Sequence, residues 1–176
     1  MAERTIMISD SINGEMAKNI IEKIIDINEK DTKQEEKLRE FKREPINVIV
    51  NSFGGSVYDG FGIVDIIRAS ETPVHTYCMG SAMSMGFIIF LVGHERYAGE
   101  NCTFMYHEIA STMGGKLEGF KMEVEELTRL QIMLDDIVLD NTSIMKDKLE
   151  DYKGRKAEWY ISAKEGLKLG ICSELI

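Results

Sequence analysis

Short apolar runs alternate with amphipathic stretches along most of the chain. The runs at residues 46–50 and 74–79 are rich in β-branched and aromatic residues, a composition typical of buried strands. Between them, residues 58–69 carry apolar side chains at helical spacing. Shorter strands are predicted at 5–8 and 103–106. This alternation of strands and helices predicts one α/β domain with right-handed crossovers.

Two longer helices are predicted from apolar positions that recur every three or four residues. The first covers residues 13–27, and the second begins near residue 117 and continues for about six turns. A helix of that length can extend beyond its own domain and pack on a partner, or it can pack within its own chain. Between the first helix and the strand at 46–50, residues 31–44 form a dense charge run, which indicates an exposed helix or loop.

Composition narrows the function classes. The chain of 176 residues has a net charge of −9, which argues against nucleic acid as a partner. Its longest apolar stretch, residues 79–92, is shorter than the ~20 residues that a membrane span needs. Three cysteines with no CxxC spacing and three scattered histidines favour neither a disulfide framework nor a metal site. We therefore expect a cytoplasmic protein without metal or cofactor.

Ser84 is the candidate nucleophile. It lies within residues 78–86 (CMGSAMSMG), between a strand-like run and a helix-like run, in a context similar to the G-x-S-x-G turn of hydrolases. Such a turn can present a hydroxyl at a helix N-terminus, where backbone N–H groups can hold a developing negative charge. The alternative is an ordinary helix start, at which serine is common.

His107 and the Gly54-Gly55 loop are the other candidates for chemistry. A serine hydroxyl needs a base, and His107 follows the predicted strand at 103–106, where side chains can converge on a site. A structural histidine is the alternative there. The glycine loop follows the strand at 46–50 and can bind an oxyanion or serve as a tight turn. Phosphate is disfavoured because no lysine follows at P-loop spacing.

Taken together, these motifs are similar to the proteolytic subunit of the Clp protease (ClpP), a serine peptidase of the ClpP/crotonase fold. The resemblance spans most of the chain and rests on residues 51–57, 78–86, 96–98, 105–107, 113–115, 161–163 and 169–171. It implies an α/β fold of repeated β-β-α units in a single domain over 1–176. It also implies a protruding handle helix at about 117–149, with 31–44 as a charged insertion.

The resemblance implies a role for each matching position. Ser84 is the nucleophile, His107 the base, and Glu158 stands where the family has its orienting aspartate. The remaining positions supply backbone groups: Gly55 and Met85 for the oxyanion hole, and Gly54, Gly114 and Gly115 for binding the substrate strand.

The resemblance also implies partners. ClpP assembles into a heptamer or tetradecamer, which an AAA+ unfoldase supplies with protein substrates. The family has a pore-lining segment before its first strand, whereas here the first predicted strand is almost at residue 1, so the unfoldase contact stays open. This feature, Glu158 and the charged insertion are typical of divergent, phage-type members. Two alternatives remain: an inactive ClpP-like scaffold, and an acyl-CoA enzyme of the related crotonase fold, which the presence of both Ser84 and His107 disfavours.

Overall fold

A computed structural model describes residues 3–112 and 114–176. Within them the chain forms one seven-stranded sheet and six helices. The elements in chain order are β1 (Thr5–Ile8), α1 (Gly14–Glu35), β2 (Ile46–Ser52), α2 (Val57–Ala69), β3 (Val74–Met83), α3 (Met85–Leu91), β4 (Glu95–Ala98), β5 (Thr103–Tyr106), α4 (Leu117–Asn141), α5 (Lys146–Gly154), β6 (Trp159–Ser162), α6 (Ala163–Lys168) and β7 (Glu174–Leu175).

The sheet is mostly parallel. Strands β1, β2, β3, β4 and β7 pair in that order and all in parallel. Strand β5 pairs with β3 in parallel and with β6 antiparallel. Parallel neighbours need crossover connections, and α1 and α2 supply them between β1, β2 and β3. The α/β fold class expected from the sequence is therefore confirmed.

Strand β3 pairs with two different neighbours along its length. Its first half, His75 to Cys78, pairs with β4, and its second half, Ser81 to Met83, pairs with β5. The change follows Gly80, which has φ +103° and lies so close to Asn51 that a Cβ would come within 2.6 Å of the Asn51 amide oxygen. That oxygen accepts a hydrogen bond from the Ser81 N–H at 3.1 Å. Glycine therefore allows β3 to turn toward β5.

The core lies where the helices cover the sheet. Alternate β2 side chains Ile46, Val48 and Val50 are fully buried, and every residue of α3 is buried. Burial of about 25 cal/mol per Å² of apolar surface is the main force that holds these elements together. Among the described residues, no helix is long and apolar enough to cross a membrane.

The charged run at 31–44 is less uniformly exposed than its composition indicates. Helix α1 continues through it as far as Glu35, and Asp31 is buried against Arg4 and Thr72. Burial works to raise the pKa of Asp31, but hydrogen bonds from Arg4 and Thr72 hold it below its ordinary value. The N-terminal strand region is thus tied to the end of α1.

The long helix predicted from residue 117 also exists. It ends at Asn141, and α5 begins separately at Lys146. Only part of α4 is covered: its buried residues lie between Leu130 and Val138, whereas Leu117 and Met122 near its N-terminus are exposed. The N-terminal half of α4 therefore presents apolar side chains to the surroundings.

Candidate active site

The ends of three parallel strands meet at one edge of the sheet. Ser52 of β2 pairs with Ala82 of β3, and Met83 of β3 pairs with Met105 of β5. Parallel strands have their carboxyl ends on the same edge, so the residues that follow these pairs are neighbours. Those residues are the Gly54-Gly55 loop, Ser84 and His107, which are the three motifs that the sequence singled out.

Ser84 occupies a strained backbone conformation between β3 and α3. Its φ of 51° and ψ of −125° lie in a region that residues with a side chain rarely adopt. The Ser84 N–H donates to Met105 O at 2.9 Å, which ties the turn to β5. The sharp turn lifts the hydroxyl out of the sheet and places it at the N-terminus of α3, as in a nucleophile elbow.

The Ser84 hydroxyl contacts the His107 ring. The distance from Ser84 Oγ to His107 Nε2 is 2.7 Å, within the range of a good O–H to nitrogen hydrogen bond. A neutral imidazole with its proton on Nδ1 accepts the hydroxyl proton at Nε2. This geometry is what a serine needs in order to lose its proton as it attacks an electrophile.

The glycine loop packs directly against the serine turn. A Cβ on Gly54 would lie 2.7 Å from Ser84 Cβ, and one on Gly55 would lie 2.3 Å from the Ile12 carbonyl oxygen. Ile12 N–H donates to Gly54 O and Ser56 N–H donates to Ile12 O, both at 2.9 Å, so Ile12 fixes the loop from one side. In this parallel bridge the Gly55 N–H points away from Ile12.

Met85 provides a second backbone donor beside the serine. It is the first residue of α3, and the first N–H groups of a helix have no partner within it. An ideal Cβ on Gly54 would lie 3.1 Å from Met85 N, so this donor adjoins the glycine loop. Gly55 and Met85 belong to two different elements, and both line the same cavity as Ser84.

A small apolar cavity opens next to the Ser84–His107 pair. Its volume is about 210 Å³, and residues from α2, α3, α4 and the segment after β5 line it. Apart from the pair itself, its side chains are mainly aliphatic: Val57, Ile88, Ile109 and Leu134. The cavity can hold one apolar side chain whose backbone lies across the serine.

Glu158 lies near the site but does not contact the histidine. Tyr106 of β5 pairs with Trp159 of β6, and one residue further that antiparallel register brings Glu158 opposite His107. The Glu158 side chain is exposed and accepts a hydrogen bond from the Tyr160 hydroxyl at 2.5 Å. No side chain of the described residues is hydrogen-bonded to His107 Nδ1.

The second glycine pair lies before α4. Gly114 and Gly115 are exposed, and a Cβ on either would meet none of the described atoms within 4 Å. Met113, which the resemblance includes in the same motif, lies outside the described residues. In the parts of the chain that the structure describes, no group of three or more His, Cys, Asp or Glu side chains is arranged to bind a metal ion.

A buried polar network lies behind His107 and was not predicted from the sequence. Tyr106, Gln131 and Asp135 contact one another between β5 and α4, and Lys153 of α5 joins them. The signal was present in α4, where Gln131 and Asp135 interrupt an apolar stripe at i, i+4 spacing. Their partner could not be read from the helix alone.

Comparison with known proteins agrees with this fold. The family described as Clp protease matches residues 1–176. An ATP-dependent Clp protease proteolytic subunit from Deinococcus radiodurans is 27% identical over 178 residues, covering 100% of this chain and 81% of the relative. The structure is similar to that of a ClpP1 point mutant from Listeria monocytogenes, with a TM-score of 0.83 and 22% identity, covering 99% of this chain and 91% of that one.

A family match over the whole chain decides the classification. Together with the proteolytic-subunit relative, it identifies a ClpP-like serine-type endopeptidase. The chain belongs to the Clp protease family.

The strain at Ser84 can be measured by a pair of substitutions that both remove the hydroxyl. We expect Ser84→Gly to be more stable than Ser84→Ala by about 1 kcal/mol, because glycine adopts φ 51° without steric strain. The measurement is urea unfolding at a fixed protein concentration. At Ser81, in strand β3, the same two substitutions should rank in the opposite order, since glycine weakens a strand. If alanine is also the more stable residue at position 84, the turn is not strained.

Proposed function

We propose that the chain is a serine endopeptidase that hydrolyses unfolded proteins or peptides within a ring-shaped oligomer. The observation that carries this proposal is the 2.7 Å distance between Ser84 Oγ and His107 Nε2, at the edge of the sheet where the Gly54-Gly55 loop also ends. A nucleophile, a base and two backbone donors are the minimum set for acyl transfer.

The reaction would follow from these positions. Ser84 Oγ attacks the peptide carbonyl while its proton moves to His107 Nε2. The N–H groups of Gly55 and Met85 bind the oxyanion of the tetrahedral intermediate. His107 then gives the proton to the leaving amine, which leaves an acyl ester on Ser84. Water, deprotonated by His107, hydrolyses that ester and restores the serine.

The surroundings of the serine favour an extended peptide as the substrate. The 210 Å³ cavity fits one apolar side chain, so we expect cleavage after residues of moderate size. On either side, Gly54 and the Gly114-Gly115 segment would pair with the substrate main chain. Such pairing gives affinity with little preference for side chains.

Glu158 is proposed as the third member of the triad. The antiparallel register of β5 and β6, extended by one residue, sets Glu158 opposite His107. We propose that the Glu158 side chain rotates away from Tyr160 and that its carboxylate then accepts from His107 Nδ1. A carboxylate there would hold the ring in the tautomer that accepts the serine proton. The hydrogen bond from Tyr160 competes with this role, and it also raises the pKa of Tyr160.

Membership of the Clp protease family supports assembly into rings. We propose that α4 mediates contacts between rings in a heptamer or tetradecamer, since its exposed N-terminal half carries Leu117, Met122 and Val124. An AAA+ unfoldase would be the corresponding partner for protein substrates. The alternative is an inactive scaffold that binds peptides, and the hydrogen bond of Glu158 to Tyr160 is the observation that favours it.

Covalent labelling tests the proposal. The full-length protein should react with a fluorophosphonate probe at one residue, Ser84, because among the described residues this is the hydroxyl that is hydrogen-bonded to a histidine ring. Intact mass and peptide mapping identify the site. Ser84→Ala should abolish the label, and Ser81→Ala, three residues away, should retain it. A folded wild-type oligomer that takes no label would favour the scaffold.

A second experiment tests Glu158 through its competing partner. Glu158→Gln should lower kcat for a short peptide by about 100-fold or more, because the ring loses its orienting charge. Tyr160→Phe should raise kcat about two- to fivefold, since it frees the carboxylate from a competing hydrogen bond. The matched control is Glu108→Gln, which removes an exposed carboxylate adjacent to His107 in sequence. Equal effects at positions 108 and 158 would exclude Glu158 as the third residue.

A further inference from the structure

Residues on both sides of His107 are hydrogen-bonded to side chains of α4, one through its own side chain and one through its backbone. One residue before it, the Tyr106 hydroxyl donates to Asp135 Oδ1 at 2.5 Å. Two residues after it, the Ile109 N–H donates to Gln131 Oε1 at 2.7 Å. The ring of His107 contacts Ser84 through Nε2, and no described side chain is hydrogen-bonded to its Nδ1. The two contacts with α4 therefore add to the pairing of β5 with β3 and β6 in fixing the position of His107.

Gln131 joins the two contacts into one network. Its Nε2 group donates to Asp135 Oδ1 at 2.7 Å and lies 3.2 Å from the Tyr106 hydroxyl, while its oxygen accepts from Ile109. Each polar group of this amide therefore has a partner. A fully satisfied network in a buried place is rigid, because any displacement leaves a polar group unpaired.

The network is buried, so its polar groups have little access to water as an alternative partner. Tyr106, Gln131 and Asp135 are 3%, 8% and 8% exposed. Burial and the hydrogen bond to Asp135 raise the pKa of Tyr106, so its hydroxyl stays protonated and remains a donor. An unpaired Asp135 carboxylate at this depth would be unfavourable, and Lys153 of α5 supplies the compensating charge.

We propose that Tyr106 and Gln131 are positioning residues that fix His107 against Ser84 by anchoring its backbone to α4. Neither side chain is a proton donor or acceptor in the reaction. Tyr106 also forms part of the cavity wall, but its hydroxyl faces Asp135 on α4. This inference rests on the proposed peptidase function, since it concerns the base of that reaction. It adds that the active geometry depends on how α4 and α5 pack behind β5.

Kinetics separate positioning from a purely structural role. Tyr106→Phe removes one oxygen and keeps the ring, so the fold should survive. We expect kcat for a short peptide to fall about tenfold with KM changed by less than about twofold, because a displaced base slows the steps after binding. The rate of fluorophosphonate labelling at Ser84 should fall by a similar factor. The control is Tyr77→Phe, the same change on β3, which should leave kcat and KM within about twofold of wild type.

Gln131→Leu gives a readout that does not depend on activity. It removes the acceptor of the Ile109 N–H, so hydrogen exchange at Ile109 should become at least about tenfold faster than in wild type. The kcat of this variant should fall further than that of Tyr106→Phe, because the Ile109 anchor is lost directly.

The outcomes are distinct from those of the proposed function. An active wild type with an unchanged kcat in Tyr106→Phe overturns the positioning role and leaves the peptidase function intact. A wild type that neither hydrolyses peptide nor takes the probe contradicts the peptidase function. In that case hydrogen exchange still tests whether Gln131 anchors the backbone at Ile109. Faster exchange at Ile109 in Gln131→Leu supports the anchor, and an unchanged rate overturns it. If Gln131→Leu does not fold, the kcat of Tyr106→Phe decides the inference.

Discussion

The parallel register of β2, β3 and β5 is the constraint on which the site depends. It aligns the carboxyl ends of three strands, so that a glycine loop, a serine turn and a histidine meet although they are far apart in sequence. The division of β3 makes this possible. Strand β3 pairs with β4 as far as Cys78 and with β5 from Ser81 onward. The end of β3 therefore lies beside β5, the strand that His107 follows. Gly80 and Asn51 hold that change of partner.

The backbone at this edge of the sheet is locally strained, and the strained residues are those of the candidate active site. The backbone at Ser84 is strained, and Gly54 and Gly55 adopt positive φ in close contact with the serine turn and Ile12. Strain of this kind persists only where the surrounding structure enforces it. Here the surrounding structure is the buried α3, the hydrogen bond that Ser84 donates to Met105 O, and the hydrogen bonds between Ile12 and the glycine loop. Behind His107, the Asp135–Lys153 pair holds two opposite charges in largely buried positions.

The sequence predicts a large part of this arrangement. Periodicity alone locates the long helices and the main strands, because burial of one face imposes a period of 3.6 or 2. Ser84, His107 and the glycine loop are candidates from their local sequence context, and the family resemblance implies the role of each. The change of partner at Gly80 and the network of Tyr106, Gln131 and Asp135 are not predicted. Both depend on contacts between residues far apart in sequence, and no pattern within one element encodes its partner.

Glu158 illustrates the same limit at the level of one side chain. Its place in the sequence follows from the motif, and in the structure it lies immediately before β6, one residue beyond the pair of Tyr106 with Trp159. The direction of its carboxylate depends on whether it bonds to Tyr160 or to His107, and no sequence pattern indicates which of the two it contacts. The backbone of the site is thus more predictable than its side-chain hydrogen bonds.

If three strand ends build an acyl-transfer site around Ser84, a covalent adduct on that serine must show it. The decisive measurement is a crystal or cryo-EM structure of the full chain with Ser84 covalently phosphonylated. We expect the phosphoryl oxygen to lie about 2.7–3.1 Å from both Gly55 N and Met85 N, the distance at which donors stabilise an oxyanion. A phosphoryl oxygen directed to solvent, or held by other donors, would contradict it.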